Sequence, residues 1–482
     1  MKIFNIIVLI IGLYINGAAK THIVTTAHEI KSITSSVQPG DTIVMKNGEW
    51  KDQEIVLKVE GTEAQPIILK AETNGEVILN GSSNLRLSGS FIIVEGLNFL
   101  GGAVEKNSVI EFRTSSEKTA SNCRLTECAI IDYNPDDTEL DTKWVSVYGT
   151  RNRIDHSYFK GKTNQGTMLV VWLNGEPCEH RIDHNYFGPR PDRDKNGAET
   201  IRIGTSDWWR TNARTVVEDN YFYRCNGEVE IISNKSCENI YRRNTFVECA
   251  GTLTLRHGDR ASVYGNYFFG NNKRNTGGVR IIGEDHKVYN NYFQDLAGEN
   301  TYSALPFMQG VQNSADNGYK QVKNAVVIFN TFVNNAHAIV LGVMGSDKSA
   351  SLPPMNCTIA NNLVVTKKGM LLEEKTTPAG MTYLGNIFSN IPSSIVSSSM
   401  DHRTENIEMT EGTDGLFRPA QSSVTISAAR GSFPFVNEDI DGQTRTNRKD
   451  IGADQLSNET IKYHPLSPEE VGPHWKLHIE RK

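Results

Sequence analysis

From Asn185 to Asn386 one phrase recurs, an apolar–polar alternation that ends in Asn-aromatic-Phe or a close variant. It reads Asn185-Tyr186-Phe187, Asn220-Tyr221-Phe222, Asn244-Thr245-Phe246, Asn266-Tyr267-Phe268, Asn291-Tyr292-Phe293 and Asn330-Thr331-Phe332, with weaker copies at Asn362-Leu363 and Asn386-Ile387-Phe388. Successive Asn residues lie 35, 24, 22, 25, 39, 32 and 24 positions apart. A period in the low twenties, broken by longer insertions, is the mark of a stacked solenoid. The alternation within each copy (Val263-Tyr-Gly-Asn-Tyr-Phe268, Val288-Tyr-Asn-Asn-Tyr-Phe293) has the period of a strand and not of a helix. The pattern predicts an all-β chain, a right-handed single-stranded parallel β-helix. One coil cannot bury its apolar face alone, so coils stack and the core runs along the axis. An Asn at the same turn of each coil can bond to the Asn above and below, and it tolerates a left-handed backbone. The aromatic and Phe beside it are expected to stack inside.

A solenoid needs closed ends, because an exposed terminal coil leaves an unpaired strand edge. Residues 26–36, with Ile30 and Ile33 on one side, are expected to form a short N-terminal capping helix. First strands follow at 41–45, 66–70, 76–80 and 91–95, broken at Pro39-Gly40, Asn47-Gly48 and Asn80-Gly81. Beyond 390 the pattern decays into Ser-rich sequence. Asp439–Arg445 with Asp450–Asp454 reads as a closing rung. The chain is therefore expected to divide into an export signal (1–19), a parallel β-helix domain (20–395), and last coils, C-terminal cap and tail (396–482).

The export signal rests on Lys2, an apolar run to Ile15 and the small residues Gly17-Ala18-Ala19. That run is too short for a membrane span, and no later stretch is apolar enough for one. A periplasmic or extracellular protein without a membrane span is expected, and a monomer. The seven Cys show neither a disulfide framework nor a metal-binding pair, so buried free thiols are expected. A net charge of −6 argues against nucleic acid as a partner. Recognition of any acidic partner must come from a local cluster of cations.

Such a cluster exists between residues 196 and 280. Measured from the preceding ladder Asn, Asn196, Glu228, Glu230, Lys235, Arg256 and Arg280 fall 11, 8, 10, 15, 12 and 14 residues on. They should occupy one sector of consecutive coils, about 5 Å per rung. Glu228 and Glu230, two apart on a strand, should point the same way as a pair of exposed carboxylates. With Asn196 they form a set of hard oxygen donors that suits Ca²⁺ and not zinc; the alternative is a surface network in which the carboxylates pair with Lys235, Arg202 or Arg256. Lys235 and Arg256 have the chemistry for attack on a uronic acid. A cation on the sugar carboxylate stabilises the enolate-like intermediate. A Lys among neighbouring cations can take the C5 proton, and Arg256 faces the leaving O4, although Arg is a poor proton donor.

At these residues the sequence resembles polysaccharide lyase family 6, the β-helical alginate lyases and chondroitinase B. The resemblance is carried by Asn196-Gly-Ala-Glu-Thr-Ile-Arg-Ile-Gly204, Glu228-Val-Glu-Ile-Ile-Ser-Asn-Lys-Ser236, Leu255-Arg-His-Gly258 and Gly277-Gly-Val-Arg-Ile-Ile-Gly283. It implies that Asn196, Glu228 and Glu230 ligate Ca²⁺, that Lys235 is the Brønsted base and Arg256 the acid, and that Arg202, His257 and Arg280 contact sugar carboxylates. The Asn196–Gly204 and Asn271–Gly283 segments resemble the alginate-cleaving branch. One domain is expected, without the second β-helix that some alginate-cleaving members append. Three readings follow: an alginate lyase acting by β-elimination, a dermatan sulfate lyase on the same scaffold, and a non-catalytic polysaccharide-binding β-helix. The alignment of Lys235 and Arg256 beside the carboxylates disfavours the last. Trp172, Trp208 and Trp209 are candidate sugar platforms or packing residues.

Overall fold

The computed structural model describes residues 18–366, 369–389, 395–396 and 402–475. Residues 1–17 of the expected export segment, 390–394 and 397–401 of the Ser-rich stretch and 476–482 of the tail lie outside the described residues. Three parallel sheets, each counted as 14 strands among the described residues, run side by side along one axis. Each coil gives one short strand to each sheet. Val216–Glu218, Tyr221–Tyr223 and Glu230–Lys235, for example, pair with Ile240–Arg242, Thr245–Val247 and Gly251–His257 of the next coil. This is a right-handed parallel β-helix with one continuous apolar core along its length.

The Asn ladder holds the corner between the first two strands of each coil. The Nδ2 group of Asn185 donates to Oδ1 of Asn220 at 3.0 Å, and the same bond repeats through Asn244, Asn266, Asn291, Asn330 and Asn362 to Asn386. The second Nδ2 hydrogen goes to a backbone carbonyl of the coil on the other side, as from Asn220 to Ile182 at 2.8 Å. All eight Asn side chains are fully buried, and the shared bonds remove the cost of burying them. The left-handed residue is the one before the Asn: His184, Asp219, Arg243, Asn290, Phe329 and Asn361 have φ between 51° and 54°. That residue turns the corner, which leaves the amide of the Asn free to point along the stack.

The Phe of each phrase stacks inside, with ring centroids 4.5–5.0 Å apart from Phe187 to Phe332. The Tyr before it does not, contrary to expectation, because successive strand residues face opposite ways. Tyr186 and Tyr221 pack outside against Leu466 and Val471, and Tyr267 and Tyr292 against Leu416, Ile440 and Ala453. These covering residues belong to a C-terminal segment that returns along the flank. Gly452 N–H donates to Asn361 O, Leu466 N–H to Thr245 Oγ1, and Trp475 Nε1–H to Glu127 O. The stretch read as a closing rung lies on this flank.

At the other end, the helix Ala27–Ile33 is capped by Thr26, whose hydroxyl accepts from Glu29 N–H, and it buries Ile30 against the strand Glu54–Glu60. All seven Cys are buried and free. Among the described residues no helix is long and apolar enough to cross a membrane.

Candidate active site

The site lies on the third sheet, across Ile201–Ile203, Glu230–Lys235, Gly251–His257 and Thr276–Ile281. Register places Arg202, Ser233, Thr254 and Arg280 in one row, and Lys235 opposite His257. Asn234 pairs with Leu255 and Lys235 with His257, so Arg256 is an extra residue between two paired positions. A bulge of this kind re-aims a side chain. It lets Arg256 enter the cleft although its neighbour His257 is also on the site.

An open cleft of ≈1030 Å³ is lined by Asn196, Glu228, Glu230, Arg256, Arg280 and Tyr319, among others. A second cleft, ≈810 Å³, near the N-terminal coils is lined by Asp52, Glu54, Glu105, Glu111, Asp132 and Asp136 with fewer cations, an environment that repels polyanions. The first is the site.

Glu230 is buried, where exposure was expected. Its Oε1 accepts from Arg280 at 2.5 Å, its Oε2 from Ser233 Oγ at 2.5 Å, and Arg256 Nε stands 3.6 Å away. Burial alone would raise its pKa, but Arg280, Lys235 and Arg256 outweigh burial and hold it ionised. Glu228 sits in the bend before the strand and not on it, so the bend brings the two carboxylates together and strand alternation does not. Burial first, then the charges of Glu199 and Glu230, push its pKa up to about 9. His257 is buried among Arg256, Lys235 and Lys320; burial and these cations bring it down to about 2, so it is a neutral ring whose Nδ1 faces Arg256 Nη1 at 3.4 Å.

Glu199 is the residue that the sequence reading missed. Its carboxylate, with those of Glu228 and Glu230, forms a group whose ligand atoms lie within 4.8 Å of one another. Both Glu199 carboxylate oxygens are buried without a hydrogen-bond partner. Three crowded carboxylates, one of them without a hydrogen-bond donor and one driven to protonate, fit a hard cation. Buried Arg190 fixes the backbone beneath: it donates to Glu199 O at 3.1 Å and to Asn164 O and Gly166 O at 2.8 Å each. Asn196 lines the same cleft, and its carbonyl accepts from Gln165 Nε2 at 2.6 Å. Glu199 stands three residues after Asn196 in a segment already singled out, 14 residues past Asn185, the offset that Arg280 has from Asn266.

Lys235 Nζ lies 3.6 Å from Glu199 Oε1. Arg202, like Lys235 and His257, is not among the residues that line the cleft; its guanidinium lies 5.2 Å from the Trp172 ring, which stacks on Tyr148 at 6.0 Å, and Arg113 lies over the Tyr148 ring at 3.9 Å. Arg210 and Lys320 both lie over the Trp209 ring, whereas Trp208 is exposed.

The site is thus an open cleft on a β-solenoid, with Lys and Arg beside a carboxylate cluster. The family model described as Chondroitinase B matches residues 24–433. The structure of the PL6 family alginate lyase AlyGC is 38% identical with a TM-score of 0.84, over 94% of this chain and 58% of that one. The chain thus spans a little over half the length of that relative. A mannuronic acid specific family 6 lyase from human gut microbiota is 33% identical with a TM-score of 0.72, over 81% of this chain and 92% of that one. The family 6 lyase Pedsa3628 from Pseudopedobacter saltans is 27% identical with a TM-score of 0.70, over 95% and 100%. The comparison with curated proteins finds no match. The chain belongs to polysaccharide lyase family 6.

Proposed function

We propose that the protein is an exported, Ca²⁺-assisted lyase that cleaves alginate by β-elimination and leaves a 4,5-unsaturated uronate at the new non-reducing end. The observation that carries this reading is that Lys235 lies 3.6 Å from Glu199 and Arg256 3.6 Å from Glu230, two members of the Glu199–Glu228–Glu230 cluster. The three carboxylates, with Asn196, would hold the cation. When bound, Ca²⁺ would neutralise the uronate carboxylate and so make the C5 proton removable. Arg280, tied to Glu230, and Arg202, held on Trp172, would orient carboxylates of the chain, and His257 as a neutral ring can bond sugar hydroxyls. Lys235 Nζ would take the C5 proton; the C5–H electrons form the C4–C5 double bond, the C4–O4 bond breaks, and O4 leaves as a hydroxyl with a proton from water. Arg256 faces O4 and stabilises the charge that develops there.

The alginate assignment draws on the Asn196–Gly204 and Asn271–Gly283 segments and on relatives described as alginate lyases. The test is the ultraviolet absorbance of the new double bond during incubation with alginate, dermatan sulfate and polygalacturonate. A rise with alginate, abolished by EDTA, restored by Ca²⁺ and absent in Lys235→Ala, upholds the reading. A rise with dermatan sulfate alone moves the substrate, and no rise on any polyuronate sinks it.

A further inference from the structure

The chain after Leu305–Met308 leaves the third sheet as a strap, residues 312–320, which turns back over the site. Its base is tied down by Val311 N–H to Tyr319 O at 2.9 Å and by the antiparallel pairing of Gly310–Val311 with Ala350–Leu352. Its tip reaches the loop after Ile201–Ile203, four rungs back, about 19 Å at roughly 4.8 Å per rung. There Asp316 Oδ1 accepts from Trp209 Nε1 at 2.8 Å and pairs with Arg210 at 3.4 Å, while Lys320 stacks on the same indole at 4.9 Å. The Trp209 bond, helped by Arg210 and Lys320, holds Asp316 below the usual carboxylate range.

Between these anchors the strap meets Arg256. Nη2 donates to Asn317 O at 2.9 Å, Nη1 to Gly318 O at 3.2 Å, and the guanidinium lies 4.4 Å from the Tyr319 ring centre. From the sheet itself Arg256 receives the 3.6 Å approach of Glu230 and the 3.4 Å contact with His257. A bulged Arg held mainly by two carbonyls of an exposed strap takes its position from whatever holds the strap.

We propose that Asp316 and Trp209 are positioning residues for Arg256: their latch fixes the strap, and the strap sets the guanidinium against the leaving oxygen. The kinetic side of this inference rests on the lyase reading above; the structural side does not. Asp316→Ala and Trp209→Phe should each lower kcat on the polymer roughly tenfold, the size of one charge-assisted hydrogen bond, with KM within about twofold. The double variant should be no worse than either single one, and Asp316→Asn, which keeps an acceptor for the indole, should recover part of the loss. Thermal midpoints should stay at the wild-type value. Amide hydrogen exchange over residues 309–321 should rise in Asp316→Ala and also in Arg256→Ala. A rise in KM with kcat intact, multiplied losses in the double variant, or unchanged exchange in Asp316→Ala overturns the proposal. If the wild type cleaves no polyuronate, the lyase reading fails alone, and the exchange data decide the latch: raised in both variants upholds it, unchanged overturns it.

Discussion

Lys235 Nζ lies 3.6 Å from a carboxylate oxygen of Glu199, so the proposed base and the candidate metal cluster share a contact. A cation that binds Glu199 withdraws the partner of Lys235 in the same event. Loading of the site and readiness of the base are therefore coupled by one carboxylate.

Glu199→Gln should lower cation affinity at least tenfold, since a neutral amide replaces a charged oxygen donor in a crowded set. Activity should recover in part at high Ca²⁺. Calorimetric titration of Ca²⁺ and a Ca²⁺-dependence of the rate check this, and affinity equal to wild type would remove Glu199 from the ligand set.

Lys235→Ala should reduce kcat by roughly 10²–10⁴, the usual worth of a positioned general base, while binding of the uncleaved polymer persists. Initial rates from the ultraviolet absorbance and affinity electrophoresis in alginate gels separate the two effects.

Glu228 links pH to the cation. Its folded pKa, about 9, stands far above the ordinary carboxylate value of 4.5, so the metal-free fold binds a proton there that the unfolded chain has lost. Between those values ν_U − ν_N is negative, and stability of the metal-free protein falls as pH rises through that window. A bound cation takes the place of the proton and removes the penalty. The rise in thermal midpoint on adding Ca²⁺ should widen from pH 5 to pH 9, with about one proton released per cation near neutrality. Calorimetry in buffers of different ionisation enthalpy measures that proton; a count of zero contradicts the assignment.

Much of this was legible in the chain because a solenoid writes its geometry as a period. The Asn ladder, the stacked Phe column and the shared sector of Glu230, Lys235, Arg256 and Arg280 all follow from spacing. What escaped has no period. Tyr267 bonds Ile440 O, 173 residues away, and Trp475 bonds Glu127 O across 348; pairings at such separations leave no local signal, so the outward Tyr column was placed inside. The walls of the site lie in the two longest gaps of the ladder, 35 residues before Asn220 and 39 before Asn330. The first holds Glu199 and Trp209 and the second holds the strap. Gap length marked where the walls are, but not that Asp316 would cross four rungs to meet Trp209.

The ladder itself should carry stability and not catalysis. In Asn291→Ala, Asn266 loses the acceptor for both its N–H and its Nδ2, and Val263 O and Tyr289 O lose their Asn291 donor. Asn266 and Val263 are buried and Tyr289 partly so, and a buried polar group left unpaired costs about 1–3 kcal/mol. The urea midpoint should fall accordingly at unchanged slope, while kcat and KM at a temperature well below the transition stay at wild-type values, because Asn291 lies at a corner away from the third sheet. Loss of activity without loss of stability would contradict a purely architectural ladder.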